Sequence, residues 1–460
     1  MSKSIIGFTE CVGIVLESQL HNFISVSSNN RLQYIWLVAL ALLIPAAGLA
    51  VLQEDPSGDR ILNEYIHKTP EDPIAHLQEK ITSGETKLHF DKKWGYLPAV
   101  LRALNIPDTT QSLVFSKSSF QIDHISVGTP RALYFSDDVY VGWVQGGPVL
   151  EFASIDPVVG SIFYTLPQKE TDLPQFERLN EGCLVCHDSA ATAGVPGLLM
   201  RSVLVDQVGN PILSAGSSVM TDRSSLLERF GGWYVTGTSG GQQHRGNSYY
   251  PGSADNLGNA RTYVARMNLA PTSNLTSLPQ TMDATKYLTP HSDIVALMVF
   301  THQTQIHNRI AKAAADVRSA LLDEGKGAPL SEVTQNRIRN AVEPLVAQLL
   351  FAWTPEFTEP VAGTSGFAAE FAKQGPFDSQ GRTLRQLDLK TRLFRYPLSY
   401  LIYSESFNAL PGPAKDYVYR RLRAVLTGAD TSSAYSHLSD ADRKAILHIL
   451  EDTKPDFAGR

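Results

Sequence analysis

Residues 132–166, ALYFSDDVYVGWVQGGPVLEFASIDPVVGSIFYTL, decide the fold class of this chain. Within them the short runs 132–135, 139–144, 149–153 and 161–166 are β-branched or aromatic, and Gly, Pro and Asp divide them. A run of the same kind, 112–115, comes before. Working outward, the period changes from two to about 3.6: Ile74, Leu77 and Ile81 recur at helical spacing within 73–85, and 96–104 reads as another short helix. Beyond the strands, the runs 198–205 and 211–214 flank Gln207-Val208-Gly209-Asn210, a hairpin turn. From Ser292 onward helices are predicted over 293–315, 331–351, 413–426 and 440–453, the last with Ser439 or Asp440 as its N-cap. This order lacks regular βαβ alternation. It predicts an α+β fold with a β-rich N-terminal half (53–290) and a mostly helical C-terminal half (291–460) packed on it.

The 460 residues are 43% hydrophobic and 19% charged, an ordinary globular composition. A net charge of -6 leaves no basic field for a phosphate backbone, so nucleic acid is excluded as an expected partner. Residues 35–52, IWLVALALLIPAAGLAVL, carry no charge; Arg31 precedes them and Glu54, Asp55 and Asp59 follow. This N-terminal hydrophobic helix is expected to be a membrane anchor or a signal peptide, with residues 1–34 cytoplasmic or removed by processing and the rest of the chain outside the cytoplasmic membrane.

Only three cysteines exist, so a disulfide framework is ruled out by count. Cys11 lies before the hydrophobic segment. The other two stand in Cys183-Leu184-Val185-Cys186-His187, a CxxCH sequence. Two thiols at this spacing can add across the two vinyl groups of a haem, and the histidine after the second thiol reaches the iron from one face. Structural zinc needs four N or S ligands, and no second CxxC or CxxxH is present. A redox dithiol expects a helix starting at the motif, whereas Gly194, Pro196 and Gly197 follow closely. The expected cofactor is therefore one covalent haem c on Cys183 and Cys186, with His187 as proximal axial ligand.

The motif, together with 131–135, 138–147, 197–202, 231–237 and His302-Gln303-Thr304, resembles a group of bacterial c-type cytochromes, over most of the chain after about residue 70. That resemblance implies haem binding and electron transfer with a redox partner protein of the cell envelope, in the bacterial periplasm or on the outer face of the cytoplasmic membrane. It does not imply the small all-helical cytochrome fold.

For the other axial position, Val295, Met298, Val299, His302 and Ile306 fall on one helical stripe, which makes His302 an inward-facing first candidate. His307, five positions on, is turned roughly 140° away. His244, in the glycine-rich run 240–247, is the alternative, and Met200 a weaker one. A filled position predicts a single-electron carrier. An open or displaceable one, beside polar groups such as Arg245 and Asn247, predicts a peroxidase-like or oxidase-like haem enzyme.

Overall fold

Six strands pair in sequence order as one antiparallel sheet: β1 (Ser112–Val114), β2 (Arg131–Phe135), β3 (Val139–Trp143), β4 (Val149–Asp156), β5 (Gly160–Pro167) and β6 (Glu177–Arg178). Its turns follow from local chemistry. At the β4–β5 corner the Asp156 carboxylate accepts from the amides of Val158 and Val159 at 2.8 and 3.0 Å, and Gly160 supplies the left-handed φ of +83° that closes the hairpin. The computed structural model describes residues 56–180, 183–325 and 329–459. The expectations for 1–34 and 35–52 lie outside these, and no described helix is long and apolar enough to cross a membrane.

Both faces of the sheet are buried, which explains why its strands read as nearly continuous apolar runs rather than as an in/out alternation. Ala132, Tyr134, Val141, Trp143, Leu150, Phe152, Ile162 and Tyr164 point to one core. That core is shared with Tyr65 of α1 (Pro56–His67), with Ile74, Leu77 and Ile81 of α2 (Pro73–Thr82) and with Val100 and Leu101 of α3 (Leu97–Ala103). The alternate residues Leu133, Phe135, Tyr140, Ala153, Ile155 and Phe163 point to the other. After β6 comes a single helical turn, α4 (Leu184–His187), and then a small two-stranded ladder, β7 (Arg201–Val203) with β8 (Ser217–Val219). The expected pairing of 198–205 with 211–214 is corrected here: Val205 and Pro211 meet only as an isolated bridge, and 213–215 form a 3-10 turn. Pro211 has no amide to give a ladder.

The second core is organised around α5 (Ile294–Glu324), which runs nine residues past its predicted end at 315. Asp293 caps it, one carboxylate oxygen accepting from Val295 and Ala296 and the other from Thr364 and Ser365. Phe300 stacks on Phe135 and Tyr140 of the sheet, at 5.0 and 5.3 Å between ring centres. The other flank of α5 packs on α6 (Glu332–Leu349) and α7 (Gly412–Leu426). Every residue from Ile294 to Asn308 is buried. The expected amphipathic stripe is therefore corrected for this half of the helix, since sheet and helices cover it on all sides. The chain closes with α8 (Asp440–Thr453); of the two expected caps, Ser439 or Asp440, Ser439 is the N-cap and forms a capping box with Asp442. Helix and sheet are thus mixed, β-rich before Asp293 and helical after it, and the described residues from Ser57 onward form one compact unit.

Candidate functional site

CxxCH folds as one turn because α4 closes on Cys183: the amides of Cys186 and His187 donate to its carbonyl at 3.2 and 3.0 Å. Residues i, i+3 and i+4 of a helical turn share a face, so both sulfurs and the imidazole leave from one side. Both cysteines are free thiols. Cys183 packs at the edge of the sheet–α5 core, whereas Cys186 is exposed. Burial and then the Glu151 carboxylate push the Cys183 thiol above its usual pKa, with Arg131 opposing.

His187 is held at two points by Gly197. Its Nδ1 lies 2.8 Å from the Gly197 carbonyl, and the Gly197 amide donates to the His187 carbonyl, also at 2.8 Å. A carbonyl only accepts, so Nδ1 carries the proton and Nε2 keeps its lone pair. Burial, foremost, lowers the pKa of the ring, and Phe163 of β5 lies 4.7 Å from it, centre to centre. A neutral imidazole with Nδ1–H fixed by a carbonyl is the form a metal-bound histidine takes.

The segment that carries Gly197 is itself clamped by α5. Asn308 accepts from the Leu198 amide at 2.8 Å and donates to the Leu198 carbonyl at 2.7 Å. Gly197 has no alternative, because a Cβ there would collide with the Asn308 side chain. Thr192 fastens the loop between, bridging the carbonyls of Ser189 and Val195 at 3.0 and 2.9 Å.

A buried polar cluster lies on the same sheet face. Arg131 of β2 forms an ion pair with Glu151 of β4, reaching it over Gly142 of β3, where any Cβ would strike the guanidinium. Glu151 also accepts from Ser119 and, at 2.7 Å, from Gln121. The charges of Arg131 and Glu151 act on both Cys183 and His187. Arg131, Glu151 and Asn308 were not singled out in the sequence, since no local pattern marks them.

The expected distal candidates have the following surroundings. His302 is fully buried, but Nδ1 pairs with Asp222 and Nε2 with Ser399, both at 2.8 Å, and its ring stacks on Phe351 at 4.5 Å. Ligation by His302 requires breaking one of those bonds. His244 is buried under Phe230; its Nδ1 accepts from the Gly246 amide at 3.1 Å, which leaves the proton on Nε2, and Nε2 has no partner among the described residues. His307 donates from Nε2 to the Asp137 carbonyl at 2.7 Å and keeps a buried, unpartnered Nδ1. Burial drops the pKa of His244 and of His307 to about 4. The Met200 sulfur sits 3.6 Å from the Thr301 hydroxyl inside the core. Among the described residues, no hydrogen bond or ring contact joins His187 to His302 or His244.

One further group of potential metal ligands, Asp378, His448 and Asp452, places one donor atom each within 4.8 Å of the others. The Arg382 guanidinium already lies 2.6 Å from the Asp378 oxygen that faces His448, so this group reads as an ion-pair cluster around an arginine.

No family model, curated protein or solved structure matches the chain.

Proposed function

We propose that this chain is a c-type cytochrome of the cell envelope, in the periplasm or anchored at the outer face of the cytoplasmic membrane through 35–52, that passes single electrons between redox partner proteins. The observation that carries the reading is the bond from His187 Nδ1 to the Gly197 carbonyl, which leaves Nε2 free beside two unoxidised thiols. Cys183 and Cys186 would hold one haem by thioether bonds, His187 would ligate its iron, and the haem supplies the one-electron couple. Gly197 fixes ring tautomer and orientation, Phe163 packs the imidazole face, and the buried surroundings of Cys183 limit solvent access, a combination that sets a reduction potential. Intact mass of protein matured in cells with haem-attachment machinery tests this. The expected mass exceeds the processed polypeptide by one haem, and a bare polypeptide mass overturns the reading.

A second reading has its own support. Both nitrogens of His302 are occupied, and His244 is tautomerically set as a donor, which favours an open or displaceable distal position and a haem-dependent oxidoreductase. Carbon monoxide addition to the reduced protein separates the two: rapid binding favours the enzyme, and an unchanged six-coordinate spectrum favours the carrier.

A further inference from the structure

A cavity of about 280 Å³ opens beside the β2–β3 turn, and no residue of the CxxCH motif lines it. Its walls combine three aromatic residues, Phe135, Phe367 and Phe371, with three carboxylates, Asp137, Asp138 and Glu370, and no lysine or arginine. Phe367 stacks on Phe371 at 5.4 Å and tilts against Phe135 at 5.9 Å, so the apolar wall is continuous.

The three carboxylates differ in what they are doing. Asp137 is neutralised from outside the cavity by both guanidinium nitrogens of Arg385, and its backbone carbonyl is tied to α5 by Gln303 at 3.0 Å and His307 at 2.7 Å. The turn is therefore rigidly mounted. Glu370, at the rim, accepts the Thr109 hydroxyl at 2.5 Å. Asp138 makes no side-chain hydrogen bond and no ion pair among the described residues, although it is half-buried. A half-buried carboxylate without a protein donor is open to a cationic partner. Burial, with Asp137 and Glu405 nearby, pushes its carboxyl up to about 7, against the pull of Arg385.

We propose that this cavity is a binding site for a small organic ammonium ion, with Asp138 as counter-ion, Glu370 as a second negative charge at the rim, and the Phe135–Phe367–Phe371 wall against its carbon substituents. The chemistry selects this class. A hard divalent cation wants about six oxygen ligands in one shell, whereas an alkylated ammonium is weakly hydrated and favours aromatic and carboxylate contacts together, and this cavity sets three phenyl rings beside its carboxylates. The volume lies just below the usual range of roughly 300–1,000 Å³ for small-molecule sites, which suits a ligand of choline size. The proposal is independent of haem.

Calorimetric titration of the full-length, matured protein tests it, with choline and propylammonium as probes and 3,3-dimethylbutan-1-ol as the uncharged isostere of choline. At least one ammonium should bind saturably at one site per chain, about tenfold or more tighter than the alcohol. Asp138→Asn should weaken it about tenfold with the melting temperature preserved, and Glu370→Gln, at the exposed rim, a few-fold. The rim variant keeps the test decisive should Asp138→Asn not fold. Absence of saturable ammonium binding overturns the proposal. So does equal binding of the alcohol, or displacement of choline by stoichiometric magnesium ion alone.

Discussion

Asn308 closes two hydrogen bonds on the backbone of Leu198, one to the amide at 2.8 Å and one to the carbonyl at 2.7 Å, and thereby sets the carbonyl of Gly197 against His187. His187 is thus positioned from α5, across the core.

Removing that amide should cost both stability and geometry. Asn308→Ala strands a buried N–H and C=O, and a loss of about 2–4 kcal/mol is expected from urea unfolding. With a haem bound as proposed, its reduction potential should move as well. Asn308→Ala with stability within about 0.5 kcal/mol of wild type, below the cost of even one stranded buried group, would show that the clamp is dispensable.

The two thiols should differ in reactivity. In polypeptide made without haem attachment, Cys186 is exposed while Cys183 is half-buried with a raised thiol pKa. The thiolate is the reacting species, so iodoacetamide at neutral pH should label Cys186 several-fold faster, as read by peptide mapping. Equal rates would contradict the placement of Cys183 against the core.

The Arg131–Glu151 pair invites a double-mutant cycle. Glu151→Leu leaves a partly buried guanidinium uncompensated and should destabilise by about 1–3 kcal/mol. Arg131→Leu/Glu151→Leu together should cost clearly less than the sum of the two single changes. Additive costs would mean that the charges do not interact.

A pH dependence follows from His307. Its folded pKa of about 4 lies below the value of 6.5 for a free imidazole, so the unfolded chain binds the extra proton first. Its contribution to stability is constant above about pH 6.5, falls as pH drops from there to about 4, and levels off below. Asp138, with a raised folded pKa, works in the opposite direction over an overlapping range, so the measurement must be a difference. Relative to His307→Gln, wild type should lose about 2–3 kcal/mol between pH 7 and pH 4.5. Parallel stability curves for the two proteins would rule out a buried neutral imidazole.

The motif was legible because Cys183, Cys186 and His187 are neighbours in the chain and their geometry is that of a single turn. The strands of the meander were legible from their punctuation, and α8 from its Ser439 cap. What the sequence could not expose is what tertiary structure assembles. The stretch 198–205 has strand composition, yet only Arg201–Val203 pairs as one: Asn308 takes both backbone groups of Leu198 at one end, and the carbonyls of Leu204 and Val205 accept from Ile212 and Tyr250 at the other. Likewise periodicity placed His302 inward but not its neighbours, which are buried as well, and its two partners, Asp222 and Ser399, lie 80 and 97 residues away.

The complete burial of α5 from Ile294 to Asn308 has a consequence for how this chain tolerates change. An ordinary amphipathic helix shows a comb in a saturation scan, with permissive positions recurring every third or fourth residue where a side chain faces water. This segment has no such face. Of its polar members, Thr301, His302, Gln303, Thr304 and Asn308 each answer a specific donor or acceptor, and its apolar members fill the core between sheet and helices. The scan should therefore read as an unbroken band of intolerance, and sequence drift in this protein should accumulate everywhere before it enters that helix.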